Sequence, residues 1–432
     1  MSAHLNPAVL ESIQTPEFVS GNVIDNAARK LIFKALQRLD TGDLTLREGA
    51  DAFHFGGAGG PDGFGADLSA VVNVHSPRLY RRTVTDGTNG VAESFMRGEF
   101  TSDDLVSMLR IFLASAINKN VVGYGSRFKT LLARCANVSR RNSKTGSKRN
   151  IADHYDLSNN FFKLWLDETM SYSAGIFESP TATMADASRA KNDRMCRKLA
   201  LTPDDHLLEI GTGWGEMAIH AAKHFGCRVT TTTISEQQHH YAKQRIEAEG
   251  LSDRITLLNR DYRDLTGKYD KIVSVEMIEA VGHEYYGTFF RKCCDLLKPN
   301  GALMMQAIVI ADEAYDEARR AVDFIKRYIF PGSCIPSVAK LTTKAAGSSD
   351  LRLRHLEDIT PHYAETLRRW RVTFMEKADE VRALGFDQRF MKMWEFYLAY
   401  CEAGFHERHI SDVQMLFVRP QHRGDMILPR LG

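Results

Sequence analysis

Apolar positions over residues 27–39 (AARKLIFKALQRL) recur at helical spacing, and Leu31, Ile32, Ala35, Leu36 and Leu39 form one stripe that predicts a helix. From Gly42 the period falls to two. Leu44 and Leu46, then Phe53 and Phe55, alternate with polar residues as short strands do. Residues 56–65 (GGAGGPDGFG) read as a loop, because glycine and proline interrupt either element. Val71, Val72 and Val74 predict another strand. Ser102 is placed to cap a helix carrying Leu105, Leu109, Phe112 and Leu113, with Asp103 and Asp104 near its positive end. Residues 1–138 therefore read as a small α+β domain.

Beyond residue 200 the pattern alternates strand and helix. Short apolar runs at 206–210, 228–234, 255–258, 271–277 and 302–310 are separated by helical stretches. This predicts an α/β fold for 151–432, a Rossmann-like, mostly parallel sheet with helices on both faces. The run 413–418 is expected to close it as an edge strand of unassigned direction. Between the two parts, 139–150 (SRRNSKTGSKRN) carries five basic and no acidic residues. It reads as a solvated linker or as a patch for anionic lipid head groups.

Composition narrows the function classes. The chain has 432 residues, 44% hydrophobic and 25% charged, with 56 Lys+Arg against 54 Asp+Glu. That balance disfavours a dedicated nucleic-acid binder. No apolar window is long enough for a membrane span. Seven cysteines without a C-x-x-C pair suggest reduced thiols in a cytoplasmic protein. His154, His283 and the pair His239–His240 show no metal spacing, so no metal is expected.

LLEIGTGWGEMAIHAA (207–222) carries the most chemistry. A buried strand ends at Ile210, Gly211, Gly213 and Gly215 alternate, and a helix follows. Glycines there allow a tight turn and let a ligand approach the backbone at a helix N-terminus. A structural turn or a dinucleotide site gives similar letters, but a dinucleotide fingerprint needs G-x-G-x-x-G. Glu209, two residues before the turn, suits an amine-bearing, phosphate-free ligand. The arrangement E-x-G-x-G-x-G, with LLKPNG at 296–301, resembles class I S-adenosylmethionine-dependent methyltransferases.

Further segments stand in one order: 154–178, TTTISEQQ (231–238), DYRDL (261–265), SVEMIEAVGHEYYGTFF (274–290), YIFPGSCIPS (328–337), HYAETLRRW (362–370) and FYLAYCEAGF (396–405). Together they resemble the cyclopropane-fatty-acyl-phospholipid synthases and mycolic-acid methyltransferases. NGVAESFMRGEFTSDDL (89–105) is similar, more loosely, to the small lipid-handling domain that precedes the catalytic domain in the bacterial synthases. The resemblance implies methylene addition from S-adenosylmethionine across a cis double bond of an unsaturated phospholipid acyl chain. It also implies peripheral association with the inner face of the plasma membrane. Oligomeric state is open, a homodimer being one option. By motif, Tyr172, Ser173, Glu209, Gly211 and Gly213 would meet the methionine end of the co-substrate. Thr233, Ile234, Ser235 and Gln238 match the family's cofactor segment at the end of the second strand, and Tyr262 and Arg263 its adenine-side segment.

The family's catalytic centre gathers its residues around bicarbonate, and Glu279, Ile308 and Tyr397 match three of them. Two positions depart: Ala174 stands where a cysteine is frequent, and Gln306 where a histidine is. Gln306 is expected to keep a donor and an acceptor for an anion, while Ala174 offers nothing polar. Cys401 matches a shared cysteine, with a buried apolar thiol as the plainer reading. Ring closure is the first expectation and a methyl- or methylene-branched product the second. A small-molecule or amine methyltransferase, or a lipid binder without turnover, is a further alternative. The basic and apolar residues of 319–332 read either as packing or as an interfacial helix.

Overall fold

A computed structural model describes residues 21–57, 65–117 and 158–424. The chain divides into two compact units, Met1–Ser126 and Arg127–Gly432. The basic stretch 139–150, His154 and most of the glycine loop lie outside the described residues.

In the first unit the period-two segments become β1 (Asp43–Glu48) and β2 (Asp51–Gly56), paired antiparallel with Leu44 opposite Phe55. β3 (Ser69–Val74) joins β1 in parallel, and β4 (Phe100–Ser102) joins β3 antiparallel. Two expectations are corrected here. In the helix Val23–Leu36, Leu31 is 58% exposed. Arg29 pairs with the buried Glu48 of β1 at 2.7 Å and lies over Phe33, so the face holding Asp25, Ala28 and Leu36 turns inward and Leu31 points away. Ser102 does not cap the helix Leu105–Ile117, because it is drawn into the β3–β4 ladder opposite Val72. Asp104 caps instead, accepting from the Ser107 N–H at 3.0 Å. Phe112 and Leu113 are half-buried, whereas Ile111 is fully buried.

The second unit is a seven-stranded sheet in the order β10-β11-β9-β8-β5-β6-β7. Its strands are β5 (His206–Ile210), β6 (Arg228–Thr233), β7 (Ile255–Asn259), β8 (Tyr269–Val275), β9 (Leu297–Ile310), β10 (Arg352–Asp358) and β11 (Ile410–Val418). β5 to β9 run parallel, as the alternation predicts. Successive residues feed two separate cores. Leu208, Ile272, Leu303 and Met415 pack with Phe289 and Phe290 on one face, and Leu207, Val273, Met304 and Leu416 with Met217 and Ala218 on the other. Helices therefore cover both faces.

The chain order reverses between β5 and β8, which opens a crevice beyond their C-terminal ends. The β11 expectation is corrected: it lies inside the sheet, antiparallel to both β9 and β10. β10 (RLRHLED) forms the edge, and its charges conceal it in the sequence. The 319–332 segment also packs inward. Phe324 and Ile329 are buried on a π-helical turn, and the Lys326 ammonium is held by the Ala318 and Ala321 carbonyls.

At the β10–β11 edge, Glu357 pairs with Arg194 and with Lys198, whose side chain is fully buried and also donates to Gln414 at 2.7 Å. Burial opposes the charge on Glu357, but the two cations outweigh it and hold its carboxyl at about 2. This stabilisation is complete above the ordinary carboxyl range and is lost as pH falls toward about 2. Glu357→Ala strands a buried ammonium, and urea titration at neutral pH is expected to show a loss of ~3 kcal/mol.

Candidate active site

The crevice begins at the turn after β5. Gly211, Gly213 and Gly215 all have positive φ (103°, 53° and 97°), which side-chain-bearing residues rarely adopt. A Cβ on Gly211 would crowd Met277 at 3.3 Å and one on Gly215 would crowd Ala242 at 3.2 Å, whereas one on Gly213 would meet nothing within 4 Å among the described residues. Gly213 therefore borders open space at the head of the helix Glu216–Phe225. The Gly211 and Thr212 N–H groups both donate to the Thr232 carbonyl at 3.1 Å, fixing the turn against β6. Glu209 is buried and accepts from the Thr231 hydroxyl at 2.6 Å. Burial raises its carboxyl to about 8, against the opposing pull of the Thr231 hydrogen bond and Lys191.

The second-strand residues form one capping network. Ser235 caps the helix Glu236–Ala248 by accepting from the Gln238 N–H, and the Thr233 hydroxyl donates to the Gln238 side chain at 2.9 Å. Ile234 is half-buried. The Tyr262 hydroxyl is buried beside Phe289, without a hydrogen-bond partner among the described residues. Arg263 is clamped by both oxygens of Asp261, at 2.8 and 2.7 Å. Open space over Gly213 and the unpartnered Tyr262 hydroxyl both suit a bound adenosyl amino acid.

Tyr172 and Tyr397 bring their hydroxyls within 2.7 Å. Around them stand Phe162, Trp165 and Trp370, 5.4–5.5 Å from the Tyr172 ring, with Trp394 5.2 Å and Phe330 6.1 Å from Tyr397. The loop bearing Phe330 reaches the next group, because the Cys334 N–H donates to the Glu279 carbonyl at 2.8 Å. Glu279 Oε1 accepts from the Ile308 N–H at 2.6 Å, and its Oε2 is buried without a partner among the described residues. Burial, then the neighbouring Glu276, raises Glu279 to about 8. Cys401 lies one helical turn beyond Tyr397, and burial pushes its thiol up, far from the reactive thiolate form.

Gln306 departs from expectation. Its amide donates to Glu276 at 2.8 Å and to Asp412 at 2.9 Å, and its carbonyl accepts from Gln414 at 3.0 Å. Both amide hydrogens are thus committed, as is the Ile308 N–H, and Ala174 has no polar side chain. Among the described residues these positions offer bicarbonate no uncommitted N–H.

Sequence reading missed several groups. Glu276, at positive φ (46°), takes hydrogen bonds from the Ala174 N–H, Gln306 and the Tyr363 hydroxyl. Burial raises both Glu276 and Asp412, and the charge of Glu276 raises Asp412 further. Lys191 is buried with them and donates to Ser173 at 3.1 Å. Glu276 is visible in SVEMIEAVG, three residues before Glu279, whereas Lys191 sits in a helix so polar that it resembles a surface.

A sequence profile of mycolic acid cyclopropane synthetases matches residues 142–415. The tuberculostearic acid methyltransferase UfaA1 of Mycobacterium tuberculosis is 38% identical over 80% of this chain and 82% of its own. The cyclopropane-fatty-acyl-phospholipid synthase of Escherichia coli is 32% identical over 82% of this chain and 89% of its own. The mycolic acid cyclopropane synthase CmaA1, solved with SAH and CTAB, superposes with a TM-score of 0.59 and 28% identity. That match covers 63% of this chain and 98% of CmaA1.

Glu209 also makes a stability prediction. Its raised folded value means the neutral form favours folding. That contribution is complete below the ordinary value of 4.5 and is lost as pH rises through about 8. Glu209→Gln stays neutral and can still accept from Thr231. Thermal unfolding of the unliganded protein is expected to show its melting point gaining on the parent's between about pH 5 and pH 8.

Proposed function

The chain belongs to the mycolic acid cyclopropane synthetase family, and from that premise we propose that it methylates a double-bond carbon of an unsaturated phospholipid acyl chain. S-adenosylmethionine is the co-substrate. The observation that carries the proposal is the aromatic enclosure around the Tyr172–Tyr397 hydroxyl pair, tied through the Phe330–Cys334 loop to the buried Glu279.

The π electrons of the alkene form a bond to the sulfonium methyl carbon as the C–S pair returns to sulfur. Positive charge is left on the neighbouring chain carbon. Aromatic faces stabilise such charge, by ~2 kcal/mol or more when water is excluded. Glu279 Oε2, which takes no hydrogen bond among the described residues, is the proton acceptor in this reading. Taken from the transferred methyl, that proton's loss closes a cyclopropane ring. A branched product is the second reading, favoured by Ala174 and by the committed amide of Gln306, which leave the proton acceptor differently placed. The proposed substrate lies in a bilayer, which carries the reaction to the inner membrane surface. Among the described residues no helix is long and apolar enough to cross a membrane.

Purified protein with methyl-labelled S-adenosylmethionine and vesicles of one defined monounsaturated phospholipid is expected to label the fatty acids released by hydrolysis. Unlabelled acids would sink the proposal, and proton NMR distinguishes ring from branch. The single-turnover rate is expected to rise with pH through about 8, where Glu279 becomes ionised. Glu279→Gln is expected to lower it about a hundredfold or more and to abolish that pH step.

A further inference from the structure

Lys191 has no part in the chemistry above, yet its surroundings single it out. It projects from the helix Met184–Lys198 and is 3% exposed. An ammonium carries three donors and no acceptor. Among the described residues its one hydrogen bond goes to the neutral hydroxyl of Ser173, at 3.1 Å. Glu276, Glu216, Glu209 and Asp412 act on it through space, in that order of strength. Among the described residues none of them forms an ion pair with it, and each is otherwise engaged. Glu276 accepts from Ala174, Gln306 and Tyr363, Glu209 from Thr231, Asp412 from Gln306, and Glu216 pairs with Arg245 at 2.6 Å. A buried ammonium without a contacting anion is costly.

The contact with Ser173 has a directional consequence. Burial lowers Lys191 from the ordinary lysine value, and in its ammonium form it cannot accept, so the Ser173 oxygen receives its hydrogen and the Ser173 O–H points elsewhere. Ser173 is 7% exposed, and no described residue accepts that hydroxyl hydrogen. Ser173 follows Tyr172, whose hydroxyl meets that of Tyr397, and its partner Lys191 stands within through-space reach of Glu209, ahead of the glycine turn. A carboxylate seated there would satisfy the hydroxyl and bring negative charge within two hydrogen bonds of the ammonium.

We propose that Lys191 is a positioning residue for the methyl donor, acting through Ser173 to hold the carboxylate of its methionine moiety. The inference rests on the reading of this crevice as the donor site. It predicts that the protein distinguishes S-adenosylhomocysteine, which has that carboxylate, from 5′-methylthioadenosine, which lacks it, and that Lys191 underlies the difference.

Calorimetric titration of the full chain with each compound tests this. Lys191→Met is expected to weaken S-adenosylhomocysteine binding about tenfold or more while leaving 5′-methylthioadenosine within about twofold. Ser173→Ala is expected to behave alike, and the double variant to lose little more than either single one. Should Lys191→Met not fold, Lys191→Gln, which keeps a donor for Ser173 without the charge, reads the same ratio. Equal weakening of both compounds, or an unchanged ratio, would overturn the role of Lys191 and leave the donor site standing. Binding of neither compound by the parent protein would overturn the donor site itself.

Discussion

Ionisable groups gathered out of water where the parallel strands end are the constraint on which this molecule turns. Glu209 closes β5, Glu276 and Glu279 follow β8, and Asp412 enters β11, all buried deeply enough to raise their carboxyls above the ordinary range. A fully ionised cluster of this kind would be prohibitive at low dielectric. Two devices make it tolerable. The carboxyls are held above their ordinary values, which favours their neutral forms, and each accepts at least one hydrogen bond: from Thr231 for Glu209, Ile308 for Glu279, Gln306 for Asp412, and Ala174, Gln306 and Tyr363 for Glu276.

That solution explains the local backbone. Glu276 sits at positive φ, which costs a side-chain-bearing residue of order 1 kcal/mol or more. Its three hydrogen bonds, from separate parts of the chain, overdetermine the conformation. One comes from the segment carrying Tyr172, one from β9 and one from the helix Thr360–Glu376. The carboxyl thus ties the segment carrying Tyr172 to the sheet and to the aromatic enclosure. Gln306 belongs to the same fabric, bridging two carboxyls that would otherwise face each other unsoftened.

Much of this was legible in the sequence, for identifiable reasons. Runs such as LLEI and KIVSV, buried on both faces, leave little choice but parallel strands, and alternating glycines mark a bend. β10 was illegible because an edge strand needs few apolar residues, and RLRHLED spends most of its positions on charge. Leu31 misled because helical period identifies a stripe without saying that Arg29 and Glu48 orient the helix. Lys191 and Glu276 were overlooked for a deeper reason. A buried charge has the same letter as an exposed one, and only the packing of distant segments distinguishes them. Gln306 illustrates the converse, since its donors could be counted from sequence but not their destinations.

The raised carboxyls also bear on the proposed chemistry. A carbon cation in a closed site faces two losses, capture by water and capture by an anionic oxygen as an ester. The aromatic enclosure guards against the first. Against the second, an ionised carboxylate without competing hydrogen bonds would be the chief hazard, and a weakly acidic group is a poor trap while it keeps its proton. Glu279, with a value of about 8, is mostly neutral near neutrality. Loss of a proton from such a cation needs little basicity, so a small ionised fraction is enough to turn the reaction over. Lowering that value would supply more base and more trap together. In the proposed reaction, burial of Glu279 beside Glu276 would therefore set a compromise between deprotonating the intermediate and bonding to it.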